Sequence, residues 1–206
     1  NVLLAMATSS RAVFHVLPLL LLLLLITSTS AAARRPPPTK AQIKAEVSRM
    51  AKRLLQRYPQ YSKFSKDFNK YVNLAMNSKY NFSALADATL LIPSNTAAEA
   101  LSKRLPLTSK NIPRAYNVTA YHIIAKCFIL PKIKAMRAGQ PLPTQLRQAL
   151  YKLTGRNGSV VMFGTYPSTR ARGIVTSRVV IPGMYVGPYL IAHGVDRVLL
   201  PRGTRV

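Results

Sequence analysis

The spacing of apolar positions divides this chain into a helical first part and a strand-rich second part. Ile43, Val47, Met50, Leu54, Leu55 and Tyr58 recur at three- and four-residue intervals, with Lys44, Arg49, Lys52, Arg53 and Arg57 between them. At 3.6 residues per turn this places the apolar positions on one face, predicting a basic amphipathic helix from Ala41 that stops near Pro59. A second helix is expected with Tyr61, Phe64, Phe68, Tyr71, Val72 and Ala75 as its buried side. The spacing changes at Ala88. Ala88 to Ile92 is a β-type apolar run ended by Pro93. Thr96 followed three residues later by Glu99 has the capping-box arrangement, in which each side chain meets an orphan N–H of a helix's first turn. Asn95 is an alternative cap, because its short amide also accepts such an N–H.

Further along, Tyr121 to Ala125 reads as a buried strand, and a short helix containing Ile133 and Met136 is expected after Pro131. Leu150 to Leu153, Ser159 to Phe163, Gly173 to Ile181 and Tyr189 to Leu200 read as strands. Asn157-Gly158 between two of them is a hairpin signal, since both residues tolerate positive φ. Helices mostly first and strands mostly last, with an early strand returning to the sheet, describe an α+β domain.

The N-terminal stretch does not belong to this core. Met6 is followed by Arg11, an apolar run from Val13 to Ile26 and then Ser30-Ala31-Ala32-Ala33. This pattern predicts a secretory signal peptide over residues 1–33 cut after Ala33, the five residues before Met6 being an upstream extension. The apolar run is shorter than the ~20 residues a membrane-spanning helix needs, so no transmembrane segment is expected after cleavage. A Pro-rich start and the basic helix occupy 34–60, the domain 61–201, and a short basic tail 202–206. That tail has no polar spacer or apolar end of the kind that directs a lipid anchor.

Charge narrows the partners. The chain carries 30 Lys and Arg against 5 Asp and Glu, a formal net charge of +25. Only Arg11 falls inside the expected signal, so nearly all of that charge stays with the mature protein. A field of this size favours polyanionic surroundings. A basic nucleic-acid-binding protein is the rival reading. Against it, the cations are dispersed from Arg34 to Arg205 without an Arg-Gly repeat, an aromatic-and-basic RNA-recognition strand or zinc-finger spacing, so no nucleic acid is expected. Secretion would leave acidic polysaccharide, such as pectin in a plant wall, matrix proteins and acidic phospholipid as partners, with contact between the basic helix and a membrane surface as one mode. Cys127 stands as a single cysteine in an apolar setting and reads as a buried thiol acting as a small hydrophobe.

Three segments carry a resemblance: Thr89-Leu90-Leu91-Ile92-Pro93-Ser94-Asn95-Thr96-Ala97, Tyr121-His122-Ile123-Ile124, and Tyr189 to Pro201 through His193-Gly194-Val195-Asp196. In this order they resemble a fasciclin-like domain, over roughly Tyr61 to Pro201. The resemblance implies a single domain with helices packed on a β-sheet wedge, and a secreted, extracellular role in adhesion or matrix binding rather than catalysis. A signal peptide plus one such domain is similar to the plant fasciclin-like arabinogalactan proteins, which implies a cell-wall or apoplastic location. The Ala-Pro, Ser-Pro and Thr-Pro dipeptides that carry O-glycans in that class are missing from this sequence. In related animal proteins the Tyr-His segment is implicated in adhesion, which makes Tyr121 and His122 candidate interaction residues; a structural hydrogen-bonding role is the other reading. Gly183-Met184 stand where those relatives carry an Asp-Ile pair for integrin recognition.

Catalytic and metal chemistry are not expected. Glu46, Asp67, Asp87, Glu99 and Asp196 are scattered singly, and nucleophile elbows, phosphate loops and metal-binding helices are all lacking. No cofactor is implied. Asn81, Asn117 and Asn157 each open an Asn-x-Ser/Thr sequon and are candidate glycosylation sites, with Asn157 favoured because it falls in an expected turn.

Overall fold

A computed structural model describes residues 37–64, 85–104, 112–146, 148–155, 157–164, 176–201 and 204, all within one compact unit, Pro37–Val206. The expected signal segment, the Asn81 sequon and most of the second expected helix lie outside these residues.

The described chain opens with helix α1, Lys40–Arg57, where the apolar spacing put it. Thr39 caps it: the Thr39 hydroxyl accepts from the Gln42 N–H at 3.3 Å, and the Gln42 side chain accepts from the Thr39 N–H at 2.8 Å. A 3₁₀ turn follows at Pro59–Tyr61. Then come β1 (Ala88–Pro93), α2 (Asn95–Arg104), α3 (Ile112–Tyr121), β2 (Ile123–Ile124), α4 (Leu130–Ala135), β3 (Pro141–Pro143), β4 (Ala149–Thr154), β5 (Val160–Gly164), β6 (Thr176–Val186) and β7 (Leu190–Val195). The order is the expected α+β one, with helices weighted to the first half and strands to the second.

The strands form one seven-stranded sheet in the order β2-β1-β7-β6-β5-β4-β3. β1 runs parallel to β7, pairing Ala88 with Leu190 through to Pro93 with Val195, and the other neighbours are antiparallel. All three recognised segments, far apart in sequence, thus meet as neighbours in the sheet, β2-β1-β7. The sheet also curls until its outermost strands meet. Ile124 bridges Thr144, the Ala125 N–H donates to the Pro143 carbonyl and the Gln145 N–H to the Ile123 carbonyl, each at 2.9 Å.

Every residue of β1 and β7 is buried. Strands covered on both faces read as continuous apolar runs, which is what these segments are. On one face Leu90, Ile92, Leu190 and Ala192 meet Ile43, Val47, Met50 and Leu54 of α1. On the other, Leu91 and Val195 join Ile124, Ile133, Leu142, Leu150 and Met162 inside the curled sheet.

Local expectations fail where tertiary partners decide. The strand expected over Tyr121 to Ala125 is a two-residue strand, because the α3 helix runs through Tyr121 and the His122 N–H closes its last turn onto the Thr119 carbonyl. The cap of α2 is Ser94, whose hydroxyl accepts from the Ala97 N–H at 3.3 Å; it is neither Thr96 nor Asn95. Asn95 instead accepts from the Lys63 N–H and donates to the Pro59 carbonyl, both at 2.9 Å, lashing the 3₁₀ region to the start of α2. Leu55, assigned to the apolar face of α1, is 57% exposed. In the β4–β5 loop Gly158 takes the positive φ of +66° and the Gly155 N–H donates to the Ser159 carbonyl.

Candidate functional site

Tyr121 and His122 are both interior, at 1% and 0% exposure. The Tyr121 hydroxyl donates to the Ala149 carbonyl at 3.4 Å, and its ring passes so close to Gly164 that a Cβ there would collide with the phenol. His122 sits at the end of α3, with its ring 5.1 Å from that of Phe64. Its Nδ1 donates to the Val118 carbonyl at 2.8 Å and its Nε2 accepts from the Leu199 N–H at 3.0 Å, a tautomer assigned from these partners. One imidazole therefore joins α3 to the segment after β7. Burial pushes its pKa down to about 4, opposed by the Val118 carbonyl. Protonation would turn Nε2 into a second donor facing the Leu199 N–H.

His193 plays the same part in β7. Between the pairs Ile181–Gly194 and Tyr185–Ala192 the β6 strand carries a bulge, and His193 lies opposite it. Its Nδ1 accepts from the Gly183 N–H at 2.9 Å and its Nε2 donates to the Phe128 carbonyl at 2.8 Å. Gly183 has φ +62°, and Met184 beside it is fully buried. Burial lowers the His193 pKa as well.

The Cys127 thiol is half-buried rather than enclosed, and its sulfur donates to the carbonyls of Ala88 at 3.4 Å and Tyr189 at 3.3 Å. Burial, followed by the hydrogen bond and charge of Asp87 and the charge of Glu46, raises its pKa to about 12. It stays a thiol at ordinary pH, a poor nucleophile and a poor metal ligand.

Acidic residues explain the electrostatics. Glu46, on α1, is fully buried, and its Oε1 accepts from the N–H groups of Tyr189 at 3.1 Å and Leu190 at 3.0 Å. Its Oε2 has no hydrogen-bond partner. Asp87 Oδ1 accepts from the Cys127 N–H, and Asp196 Oδ1 from the Arg178 N–H at 2.7 Å. Glu99 pairs with Lys63 at 3.7 Å on the surface. Three of the chain's five acids thus serve backbone N–H groups, while Lys44, Arg49, Lys52, Arg53, Arg57, Lys103, Arg114, Lys126, Lys132, Lys134, Arg137, Arg178 and Arg197 are exposed. One cation goes the other way. Lys152 is 3% exposed and its Nζ donates to the carbonyls of Lys134 and Met136 at the end of α4. Neither Glu46 nor Lys152 stood out from sequence, since nothing local marks a charged residue as turned inward.

Among the described residues, no group of three or more His, Cys, Asp or Glu could hold a metal ion, and no helix is long and apolar enough to cross a membrane. Of the sequons, Asn117 is exposed on α3 with its Thr119 hydroxyl donating to the Ala115 carbonyl, and Asn157 is exposed in the β4–β5 loop.

This combination of an early strand paired with the last one, a curled sheet and a helix packed against the β1–β7 pair is that of a fasciclin fold. The family model for the fasciclin domain matches residues 59–201, and the chain belongs to that family. Among solved structures, a FAS1 domain pair from the insect cell adhesion molecule fasciclin I is similar at 20% identity, with a TM-score of 0.46 over 64% of this chain and 44% of that one. The chain therefore spans less than half the length of that structure. No curated protein matches it.

Proposed function

We propose that this chain is a secreted, non-catalytic adhesion domain of the cell wall or extracellular matrix that holds acidic polysaccharide on a cationic surface. The observation that carries this is the division of charge among the described residues: Glu46, Asp87 and Asp196 accept from backbone N–H groups, while most Lys and Arg side chains, Lys152 excepted, are not buried. Such a surface keeps its field toward a polyanion, because little of it is neutralised within the protein. Family membership supports an adhesion role. In this reading residues 1–33 are a cleaved signal, the domain proper is 61–201, and Tyr121 and His122 fix loops rather than touch a partner, as their burial supports. Glycans are proposed at Asn157 first, then at Asn117 and Asn81.

The test is a salt titration of the Arg34 to Val206 protein against de-esterified and fully esterified pectin. Screening shortens from ~10 Å at 0.1 M salt to ~3 Å at 1 M, so affinity for the de-esterified form should fall steeply over that range, and the esterified form should bind far more weakly. Equal affinity for the two forms, or indifference to salt, would overturn the polyanion reading. A C-terminally tagged product retained in the cytosol or nucleus would overturn secretion.

A further inference from the structure

The α1 helix is set apart from the family domain. It spans Lys40–Arg57 and ends before the first matched residue, 59. Its apolar face is spent, because Ile43, Val47, Met50 and Leu54 are at most 2% exposed in the core. A helix held in that way has no apolar face left to insert into a lipid surface, which is what interfacial helices require.

Its outer faces carry Lys and Arg among exposed Gln42, Ala45, Ser48, Leu55 and Gln56. Arg49, Arg53 and Arg57 follow one another at intervals of four, which lines them up along the helix over about 12 Å at 1.5 Å per residue. Lys52 lies beside that row, Lys44 is on another side of the helix, and all five are exposed. Glu46 is the one acid in α1, and it is turned inward onto the backbone of Tyr189 and Leu190, which both removes its charge from the outer face and pins the helix to β7. Arg49 and Arg53 are near enough to Tyr185 for their charges to favour its ionised form, against burial. The row is therefore presented on a rigid rod. Arginine's planar fork pairs with a carboxylate through two parallel hydrogen bonds, a geometry that a lysine cannot offer.

Resting on the reading of this protein as a polyanion-binding domain, we propose that Arg49, Arg53 and Arg57 of α1 form a docking row for a carboxylate-bearing polysaccharide. The charge is complementary, and the rod does not have to be ordered on binding, which lowers the entropic cost.

The experiment measures affinity for de-esterified pectin at one ionic strength. It compares the wild type, R49Q/R53Q/R57Q, and K126Q/K134Q/R137Q, which removes the same number of exposed charges elsewhere. The α1 variant should lose about tenfold, the combined effect of three exposed ion pairs. The control should lose much less. Equal losses in the two variants would reject the row and leave general charge attraction standing. Failure of the wild type to bind would instead reject the underlying reading, and so would tighter binding of the wild type to RNA than to pectin. Should the glutamine variant not fold, R49K/R53K/R57K keeps every charge; it should still lose a few-fold in affinity because the bidentate geometry is gone, and unchanged affinity would overturn the proposal.

Discussion

The β1–β7 pair and the β3–β5 ladder belong to one sheet but are covered differently. In β1 and β7 every position is buried, so both faces of each strand are committed to the interior. In β3 and β4 burial alternates with exposure, and Leu153 of β4 is 40% exposed. Two of the recognised segments hold these two strands and the third ends in buried β2 beside them, with Thr89 donating to the Lys126 carbonyl and accepting from the Phe128 N–H. Recognition by sequence pattern therefore tracks packing here. A surface with a partner to find has to lie where side chains are not already spent, and α1's outer faces are such a place.

The sharpest way to break this comparison is to truncate one leucine in each region. Leu91→Ala, at 0% exposure between two packed layers, should cost about 2–5 kcal/mol, whereas Leu153→Ala should cost less than about 1 kcal/mol. Denaturant unfolding of the two variants reads the difference directly. Similar losses would mean that the outer ladder is as tightly packed as the inner pair.

A second test uses the histidines that fasten β7 and α3. Because the folded pKa of His122 lies near 4, below the usual 6.5, the unfolded chain takes up this proton first on acidification. The stability it contributes is complete above pH 6.5 and is lost as pH falls toward 4, by up to ~3 kcal/mol. His193 shifts in the same direction and adds to the slope. Unfolding free energy measured across that window should decline with acidity, and His122→Asn, less stable throughout, should show a flatter profile. A variant that kept the full slope would remove His122 from the account.

The smallest effect sharpens the boundary between β1 and α2. Ser94→Ala should cost ~1 kcal/mol through loss of the cap, and Thr96→Ala should stay within about 0.5 kcal/mol. The reverse order in thermal melts would restore Thr96 as the cap.

What could be read from the chain depended on whether a residue's environment repeats locally. The spacing of Ile43, Val47, Met50 and Leu54 gave α1, the unbroken run before Pro93 gave β1, and Asn157-Gly158 marked the β4–β5 loop, since each rests on near neighbours. The α2 cap is not decided locally, because Ser94, Asn95 and Thr96 are chemically interchangeable as caps and Asn95 is claimed by Pro59 and Lys63. The buried role of Glu46 has no local mark, because its partners, Tyr189 and Leu190, are far along the chain. The buried roles of Tyr121 and His122 were foreseen only as one of two readings, since a Tyr-His pair looks the same whether it faces solvent or core.

Closure of the sheet through Ile124 and Thr144 bears on how such a domain can stick to anything. An open sheet presents a free rim of N–H and C=O groups onto which another chain can add itself as an extra strand, and that rim is also where self-association begins. Here β2 and β3 satisfy part of each other's rim. Each backbone group paired across that seam is one fewer onto which another chain could add itself as a strand.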